Sequence, residues 1–157
     1  MLPEPHGTLG IDFGTSNSAM SWAPPHGPAR LIPLEGDAVS LPTAVFFNTE
    51  DQRTHFGLDA VTQYLAGTEG RLMRSMKSIL GSDLVERSTE VGGGHSVRYP
   101  DVIGSYLRHL KAKAETRAGA PIECAVIGRP VFFVDDEPER DRAAQAAMAR
   151  VAREVGF

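Results

Sequence analysis

The sequence predicts an α/β domain with a mixed sheet, antiparallel in its N-terminal part, and flanking helices. Apolar residues alternate with small or polar ones over residues 8–14, which is the period of a strand. Residues 101–118 show helical spacing, and a short apolar run at 122–127 separates them from a second helical pattern. This order of strands, helix, strand and helix is typical of layered α/β proteins.

Four strands are predicted in the first third of the chain. Residues 8–14 and 18–23 form a hairpin, because turn-forming residues interrupt the alternation between them. A third strand covers residues 30–34, after a segment rich in proline and glycine. A fourth covers residues 43–47.

Helical spacing begins after residue 57, where Leu58, Val61 and Leu65 share a face. Residues 67–94 show no clear pattern. A longer helix begins near Asp101 and ends at Gly119, with its apolar face formed by Ile103, Leu107, Leu110 and Ala114. Residues 122–127, which include Cys124, are predicted as a strand buried on both faces.

The last predicted helix has strong start signals. Asp136 can cap it, Pro138 is tolerated in its first turn, and Glu139 completes a capping pattern. Gly156 is a suitable residue for its end. An apolar stripe at intervals of four contains Ala143, Ala147, Val151 and Val155.

Composition excludes several classes of function. The 157 residues are 41% apolar and 23% charged, which is the balance of a folded protein rather than a disordered one. A formal net charge of −4 argues against nucleic-acid binding, which favours a basic excess. No secretory signal or membrane-spanning run is found. The single cysteine allows no internal disulfide and predicts a cytoplasmic protein. The five histidines show no metal-ligand spacing.

A candidate anion site lies at the first predicted turn. Asp12 ends the strand, and Gly14 allows a ligand to approach the backbone closely. Successive amides in such a turn can bind an anion, and the Asp12 carboxylate suits a hydrated Mg²⁺. An ordinary hairpin, stabilised by Asp12, is the alternative. The turn residues of the candidate site are Gly14, Thr15, Ser16 and Asn17.

Four segments, in order, resemble the DnaK-type heat shock protein 70 family of the actin-like ATPase superfamily. Residues 10–18 (GIDFGTSNS) resemble its first phosphate motif, and residues 41–47 (LPTAVFF) its "IPSxVaF" strand. Residues 76–81 (MKSILG) are similar to "aKRliG", and residues 125–130 (AVIGRP) to "AVvtVPa". The last segment looks most like the divergent YegD-like members. The resemblance implies a ribonuclease H-like half of the actin-like ATPase fold.

This resemblance implies a role for each matching residue. Asp12 would bind Mg²⁺ through water, and the turn from Gly14 to Asn17 would hold the β- and γ-phosphates of ATP or ADP. Lys77 matches the family's lysine that contacts the γ-phosphate and the attacking water. Asp12 and Lys77 are therefore the predicted catalytic residues. For Lys77, a solvated surface position is the alternative.

Pro130 matches a proline that couples the nucleotide to the rest of the molecule in this family. Its partner would be an arginine at the start of the next helix, Arg140 or Arg142, and an ordinary strand-to-helix turn is the alternative. Residues 90–95 (EVGGGH) look like the family's second phosphate motif, "DxGGGT". Two residues differ, and the segment precedes residues 125–130 instead of following them. We therefore predict a hairpin turn there.

Residues 1–157 are interpreted as the N-terminal portion of a nucleotide-binding domain from a longer, chaperone-like ATPase. The opposing phosphate motif would lie in the remainder, so this chain is expected to be inactive alone. Unfolded polypeptides or co-chaperones would bind the remainder. The chain itself is expected to self-associate through an apolar face that includes part of the last helix's stripe. A sugar kinase of the same superfamily and a filament-forming actin-like protein are the alternatives.

Overall fold

The structure is a computed structural model that describes residues 7–129 and 133–157. Strands precede the long helices, as predicted. In chain order the elements are β1 (Thr8–Phe13), β2 (Asn17–Ala23), β3 (Arg30–Leu31), β4 (Ser40–Pro42), β5 (Ala44–Asn48), β6 (Thr54–Phe56), α1 (Gly57–Leu65), β7 (Gly70–Arg74), α2 (Met76–Ile79), β8 (Ser88–Gly92), β9 (His95–Arg98), α3 (Tyr99–Ala118), β10 (Cys124–Gly128) and α4 (Pro138–Val155).

A five-stranded mixed sheet forms the main layer. β1 pairs antiparallel with β2, which places Phe13 opposite Ser18 beside the connecting turn. On its other side β1 pairs in parallel with β10, which places Asp12 opposite Gly128. β3 and β4 both pair with β2. The predicted mixed sheet with antiparallel N-terminal strands is therefore confirmed.

The long helices pack with one face of this sheet in a single core. Alternation along β1 turns Leu9, Ile11 and Phe13 inward, and all three are buried. The predicted apolar face of α3 is buried in the same cluster. Each fully buried large side chain contributes roughly 1.5–3 kcal/mol to folding. The flanking helices are thus confirmed, and their packing fixes which side chains of β1 face outward.

The region between the N-terminal hairpin and α3 contains two smaller sheets. The fourth predicted strand, residues 43–47, corresponds to β5, which pairs with β6 and β7 in a separate sheet. β4 precedes it and pairs with β2 in the main sheet. Residues 67–94, which showed no pattern, contain β7, α2 and β8. β8 and β9 form a hairpin whose turn has positive φ at Gly92, Gly93 and Gly94. The hairpin turn predicted at residues 90–95 is therefore confirmed.

The prediction that residues 122–127 form a strand buried on both faces is wrong. Ile122 is buried but precedes the strand, and β10 lies at one edge of the main sheet. Along β10 exposed residues alternate with half-buried ones, and Cys124 is exposed. Run length alone cannot distinguish an edge strand from a central one, because that depends on pairing with distant segments.

Two details of the last helix also differ from the sequence prediction. Asp136 adopts a φ of 58° before the helix, and Glu137 occupies the cap position without a side-chain cap hydrogen bond. Ala143 is exposed, whereas Ala147, Val151 and Val155 are buried. A strict spacing of four drifts around a helix of 3.6 residues per turn, so the first member of the stripe rotates out of the core. The rest of the stripe lies in the core, and the predicted self-association stays a prediction.

In the part of the chain that the structure describes, none of the helices combines the length and apolar character required to cross a bilayer.

His109 makes stability depend on pH. Its ring stacks on Phe56 at a centroid distance of 4.5 Å, and burial, with a contribution from Lys113, lowers its pKa from 6.5 to about 4. The unfolded chain therefore binds a proton at this site before the folded chain does. With respect to this group, the unfolding free energy is therefore highest above pH 6.5 and declines as the pH falls towards 4.

We expect His109→Gln to flatten the dependence of unfolding free energy on pH between about 4 and 6.5. Urea titrations across this range would measure it. The same substitution at the exposed His26 is the control, because that side chain has no such packing. Equal slopes for His109→Gln and the unmodified chain would contradict the assignment.

Candidate functional site

Around the turn between β1 and β2, some side chains are buried in the core and others are exposed on the surface. Phe13 and Ser18 are buried opposite each other at the base of the turn. Asp12, whose side chain points to the opposite face of β1, is exposed. The side chains of Thr15, Ser16 and Asn17 are exposed as well. The structure therefore brings the predicted carboxylate, hydroxyls and amide together on one short outward-facing loop.

The turn is so tight that position 14 requires a glycine. A Cβ atom at Gly14 would collide with the carbonyl oxygen of Asn17. Since glycine has no Cβ, the chain can close the loop within three residues and leave its backbone open to a ligand. The tight turn explains the glycine, and its predicted role in close approach of a ligand stays a prediction.

The polar side chains of the loop form no hydrogen bonds or ion pairs with the rest of the described chain. The side chains of Asp12, Thr15, Ser16 and Asn17 form no hydrogen bond or ion pair with residues 7–129 or 133–157. The end of β10 lies beside them, since a Cβ at Gly128 would be 3.9 Å from Oδ1 of Asp12. Donors and acceptors thus remain available for a ligand at the place where two of the motif segments meet.

A buried polar cluster supports the loop from below. The amide of Thr43 donates to the carbonyl oxygen of Ser16 at 2.9 Å, and the hydroxyls of Ser18 and Thr43 are 2.8 Å apart. Tyr106 donates its hydroxyl to the carbonyl oxygen of Pro42 at 3.1 Å. Three distant parts of the chain therefore hold the loop in one position.

Tyr106 remains neutral in this cluster. Burial raises the pKa of its phenol to about 12, while side-chain hydrogen bonding with Ser18 and Thr43 acts in the opposite direction. A neutral hydroxyl can donate to Pro42 at ordinary pH. Sequence reasoning missed Tyr106, because nothing in the helical spacing of α3 indicates a hydrogen bond to Pro42, 64 positions away.

Lys77 lies on α2, away from the hydrogen bonds of the loop. Met76 is buried and anchors this short helix, while Lys77 is half-buried. Its ammonium forms no hydrogen bond or ion pair with the residues that the structure describes. Among the described residues, it therefore has no hydrogen bond or ion pair to Asp12 or the turn. The lysine remains available to a ligand, and its predicted role stays a prediction.

Of the predicted coupling pair Pro130 and Arg140, the structure describes only Arg140. Pro130 lies outside the described residues. Arg140 is in the first turn of α4, where it binds Glu137 at 3.1 Å and Asp83 at 3.3 Å, and all three side chains are exposed at the surface. Such exposed pairs contribute little to stability.

A stronger interaction connects β10 to α4. Arg129 binds Asp141 at 3.1 Å, and Asp141 accepts a hydrogen bond from the amide of Phe133 at 2.6 Å. The Phe133 amide is the largest influence that holds the pKa of Asp141 below its usual value, and Arg129 adds to it. Sequence reasoning missed this pair, although Arg129 lies within the segment AVIGRP.

Within the described ranges, no group of three or more histidine, cysteine, aspartate or glutamate side chains could hold a metal ion. The predicted magnesium role of Asp12 stays a prediction.

The fold and this loop define an α/β domain with an exposed, glycine-closed polar turn at the end of a central strand. No family model matches the chain. Among curated proteins, it is 33% identical to the chaperone protein DnaK of Thermotoga petrophila over 138 residues, which are 87% of this chain and 22% of that protein. It is also 33% identical to DnaK of Elusimicrobium minutum over 141 residues, and 28% identical to DnaK of Cenarchaeum symbiosum over 139 residues.

The resemblance to the heat shock protein 70 family is therefore confirmed across 87% of the chain. The chain spans about a fifth of the length of the curated relatives it matches. The finer likeness to YegD-like members stays a prediction.

Replacing Gly14 by alanine should destabilise the hairpin. The added Cβ would displace the carbonyl of Asn17, and we expect a loss of roughly 1–3 kcal/mol in unfolding free energy. Gly104→Ala is the matched control, because a Cβ there meets its nearest atoms at 3.6 Å, an ordinary contact within α3. Chemical denaturation measures both. An unchanged midpoint for Gly14→Ala would show that the turn adapts without strain.

Proposed function

We propose that this chain forms one wall of the ATP-binding cleft of a DnaK-type, ATP-hydrolysing chaperone-like protein. The observation that supports this proposal most is the loop itself. It presents Asp12 and the residues from Gly14 to Asn17 with unused polar groups, at a strand end where the backbone is open. The similarity to DnaK chaperones over 87% of the chain favours nucleotide chemistry.

The residues present fit a magnesium nucleotide. The glycine-closed turn offers backbone amides and two free hydroxyls, a donor set that suits phosphate oxygens. The exposed carboxylate of Asp12 offers oxygen ligands, which a hydrated magnesium ion prefers. When bound, the magnesium nucleotide supplies the phosphoryl group that is transferred and the metal charge that offsets its negative charge.

The chain's own residues have distinct tasks in this proposal. Gly14, Thr15, Ser16 and Asn17 bind and orient the β- and γ-phosphates. Asp12 holds the hydrated metal in place through its water ligands. Lys77 brings a compact positive charge, which stabilises the negative charge that develops on the phosphate oxygens during transfer. Positioning and electrostatic stabilisation are the main contributions that a protein makes to phosphoryl transfer.

We further propose that residues 1–157 are the N-terminal portion of an actin-like nucleotide-binding domain. The mixed sheet with helices packed on its core agrees with the ribonuclease H-like half of that fold, and the chain spans only 22% of the relatives' length. The rest of such a protein would provide the second wall of the cleft and bind polypeptide clients or co-chaperones. The single cysteine agrees with a cytoplasmic site of action. Similarity to chaperones favours this function over the sugar kinase and the filament protein.

We expect Asp12→Asn to preserve the fold of the full-length protein and to weaken magnesium-dependent ATP turnover. The amide keeps the size of the side chain but loses the charge that holds the hydrated metal. Turnover measured over a magnesium titration should show a higher metal requirement. Asp37→Asn, at an exposed loop position, is the control. Identical magnesium curves for Asp12→Asn and the unmodified protein would exclude the metal role.

Lys77→Ala should lower kcat in the full-length protein by roughly ten- to a thousandfold, with a smaller effect on KM. The reason is that an interaction made mainly in the transition state affects the chemical step more than ground-state binding. Arg74→Ala removes an exposed positive charge nearby in the sequence and is the matched control. A raised KM at equal kcat would assign Lys77 to binding alone.

A further inference from the structure

A path of hydrogen bonds leads from Tyr106 on α3 to the backbone of the loop between β1 and β2. The Tyr106 hydroxyl donates to the carbonyl oxygen of Pro42 at 3.1 Å. The next amide along the chain, that of Thr43, donates to the carbonyl oxygen of Ser16 at 2.9 Å. The Pro42 carbonyl and the Thr43 amide belong to the same planar peptide unit. A single peptide unit, held at both ends, therefore connects the helix to the loop.

The path continues through the Ser16–Asn17 peptide unit. Both peptide bonds of the path are trans, so the carbonyl and the amide of each unit point in opposite directions. Because the Ser16 carbonyl points towards Thr43, the Asn17 amide points to the side of the turn that Gly14 closes. A Cβ atom at Gly14 would lie 3.7 Å from the nitrogen of Asn17. The last donor of the path therefore points into the turn.

This last amide does not close the turn. In the described ranges no hydrogen bond joins the Asn17 amide to the carbonyl oxygen of Gly14, and residues 15 and 16 form an open bend. A backbone amide that points into such a turn can donate to an anion. We call the Tyr106 hydroxyl and the two peptide units, Pro42–Thr43 and Ser16–Asn17, the relay.

All donors of the relay point in the same direction, from the helix towards the turn. Hydrogen bonds in such a series polarise one another, so that each bond strengthens the next donor. The effect is greatest where water is excluded, and both Tyr106 and Thr43 are 0% exposed. Since these groups are internal, the relay requires no free surface. Its positive end lies in the turn, where it suits a phosphate oxygen.

The hydroxyl that begins the relay is fixed in position and keeps its proton. The Tyr106 ring packs at centroid distances of 5.9 Å from Phe13 and 6.5 Å from Phe56. The hydroxyls of Ser18 and Thr43, 2.8 Å apart, belong to the same buried cluster. Burial raises the pKa of Tyr106 to about 12, so the phenol is a donor at ordinary pH.

We propose that Tyr106 is a positioning residue for the nucleotide phosphates: through the relay it orients the Asn17 amide towards a phosphate oxygen and strengthens that hydrogen bond. This inference rests on the proposed nucleotide function and adds to it a residue from outside the loop. Tyr106 is buried and acts only through the two peptide units. Its effect therefore concerns the phosphates of the ligand and not the nucleoside.

The first test compares ADP with adenosine in calorimetric titrations of the full-length protein with magnesium. Tyr106→Phe keeps the ring and removes only the hydroxyl. We expect the dissociation constant of ADP to rise roughly two- to tenfold, the scale of one weakened hydrogen bond, and that of adenosine to stay unchanged. Ile103→Val, at a fully buried position in the preceding turn of α3, is the matched control. It loosens the same helix without touching the relay, so both constants should stay unchanged.

The second test strengthens the donor instead of removing it. Tyr106→3-fluorotyrosine keeps the hydroxyl and makes it a better donor, because fluorine withdraws electrons from the ring. We expect the dissociation constant of ADP to fall roughly 1.5- to threefold, with that of adenosine unchanged. The same replacement at the exposed Tyr64 is the control and should change neither constant. This variant decides the question where Tyr106→Phe does not fold.

Hydrogen exchange tests the relay in the absence of nucleotide. In the ligand-free full-length protein, Tyr106→Phe should accelerate exchange in the peptides that contain Thr43, because the Pro42–Thr43 unit has lost one of its two anchors. Mass spectrometry measures this exchange. Ile103→Val should leave these peptides unchanged.

Equal losses of affinity for ADP and adenosine in Tyr106→Phe would overturn the proposal, since a general disturbance of the fold affects both ligands. So would an unchanged ADP affinity in both Tyr106 variants of a protein that binds ADP normally. Unchanged exchange at Thr43 in Tyr106→Phe would overturn the relay itself. If the unmodified protein does not bind ADP, the proposed nucleotide function fails, and the positioning role of Tyr106 fails with it.

Discussion

Alternation of side chains along the β1–β2 hairpin is the constraint on which the candidate site depends. Leu9, Ile11 and Phe13 are buried in the core on one face of β1. Because side chains alternate along a strand, Asp12 lies on the other face. A shift of one residue in the pairing would bury the carboxylate and expose the aromatic ring. Because burial of three large side chains opposes such a shift, the same apolar contacts that stabilise the sheet also fix the direction of the carboxylate.

The polar residues of this region fall into two groups with different surroundings. Ser18, Thr43 and Tyr106 satisfy one another or the backbone inside the protein, as buried polar groups must. Thr15 and Ser16, close to them in the sequence, remain exposed and without side-chain partners in the described chain. The buried residues hold the backbone of the loop in place, and the exposed residues provide the polar groups that can bind a ligand. A site arranged in this way loses little freedom when a ligand binds.

The sequence allowed prediction of those features that depend on neighbouring residues. The hairpin, its turn and the apolar face of α3 follow from local periodicity, so the loop residues of the candidate site could be identified. Tyr106 donates to Pro42 across 64 positions, and Arg129 binds Asp141 across 12 positions. The exposed edge of β10 likewise depends on which strands pair. Such contacts cannot be predicted from the pattern of a single segment, since they form only when distant segments pack together in the folded chain.

The parallel pairing of β1 with β10 has a consequence for the order of folding. Thr8 lies beside Cys124, whereas the β1–β2 hairpin is closed by a turn of three residues. Closing so long a loop costs more chain entropy than closing a hairpin. During synthesis the hairpin, and with it the polar loop, can form while β10 has yet to leave the ribosome. The outer side of β1 then stays unpaired until residues 124–128 have emerged, and in this interval the nascent chain is most exposed to wrong strand partners.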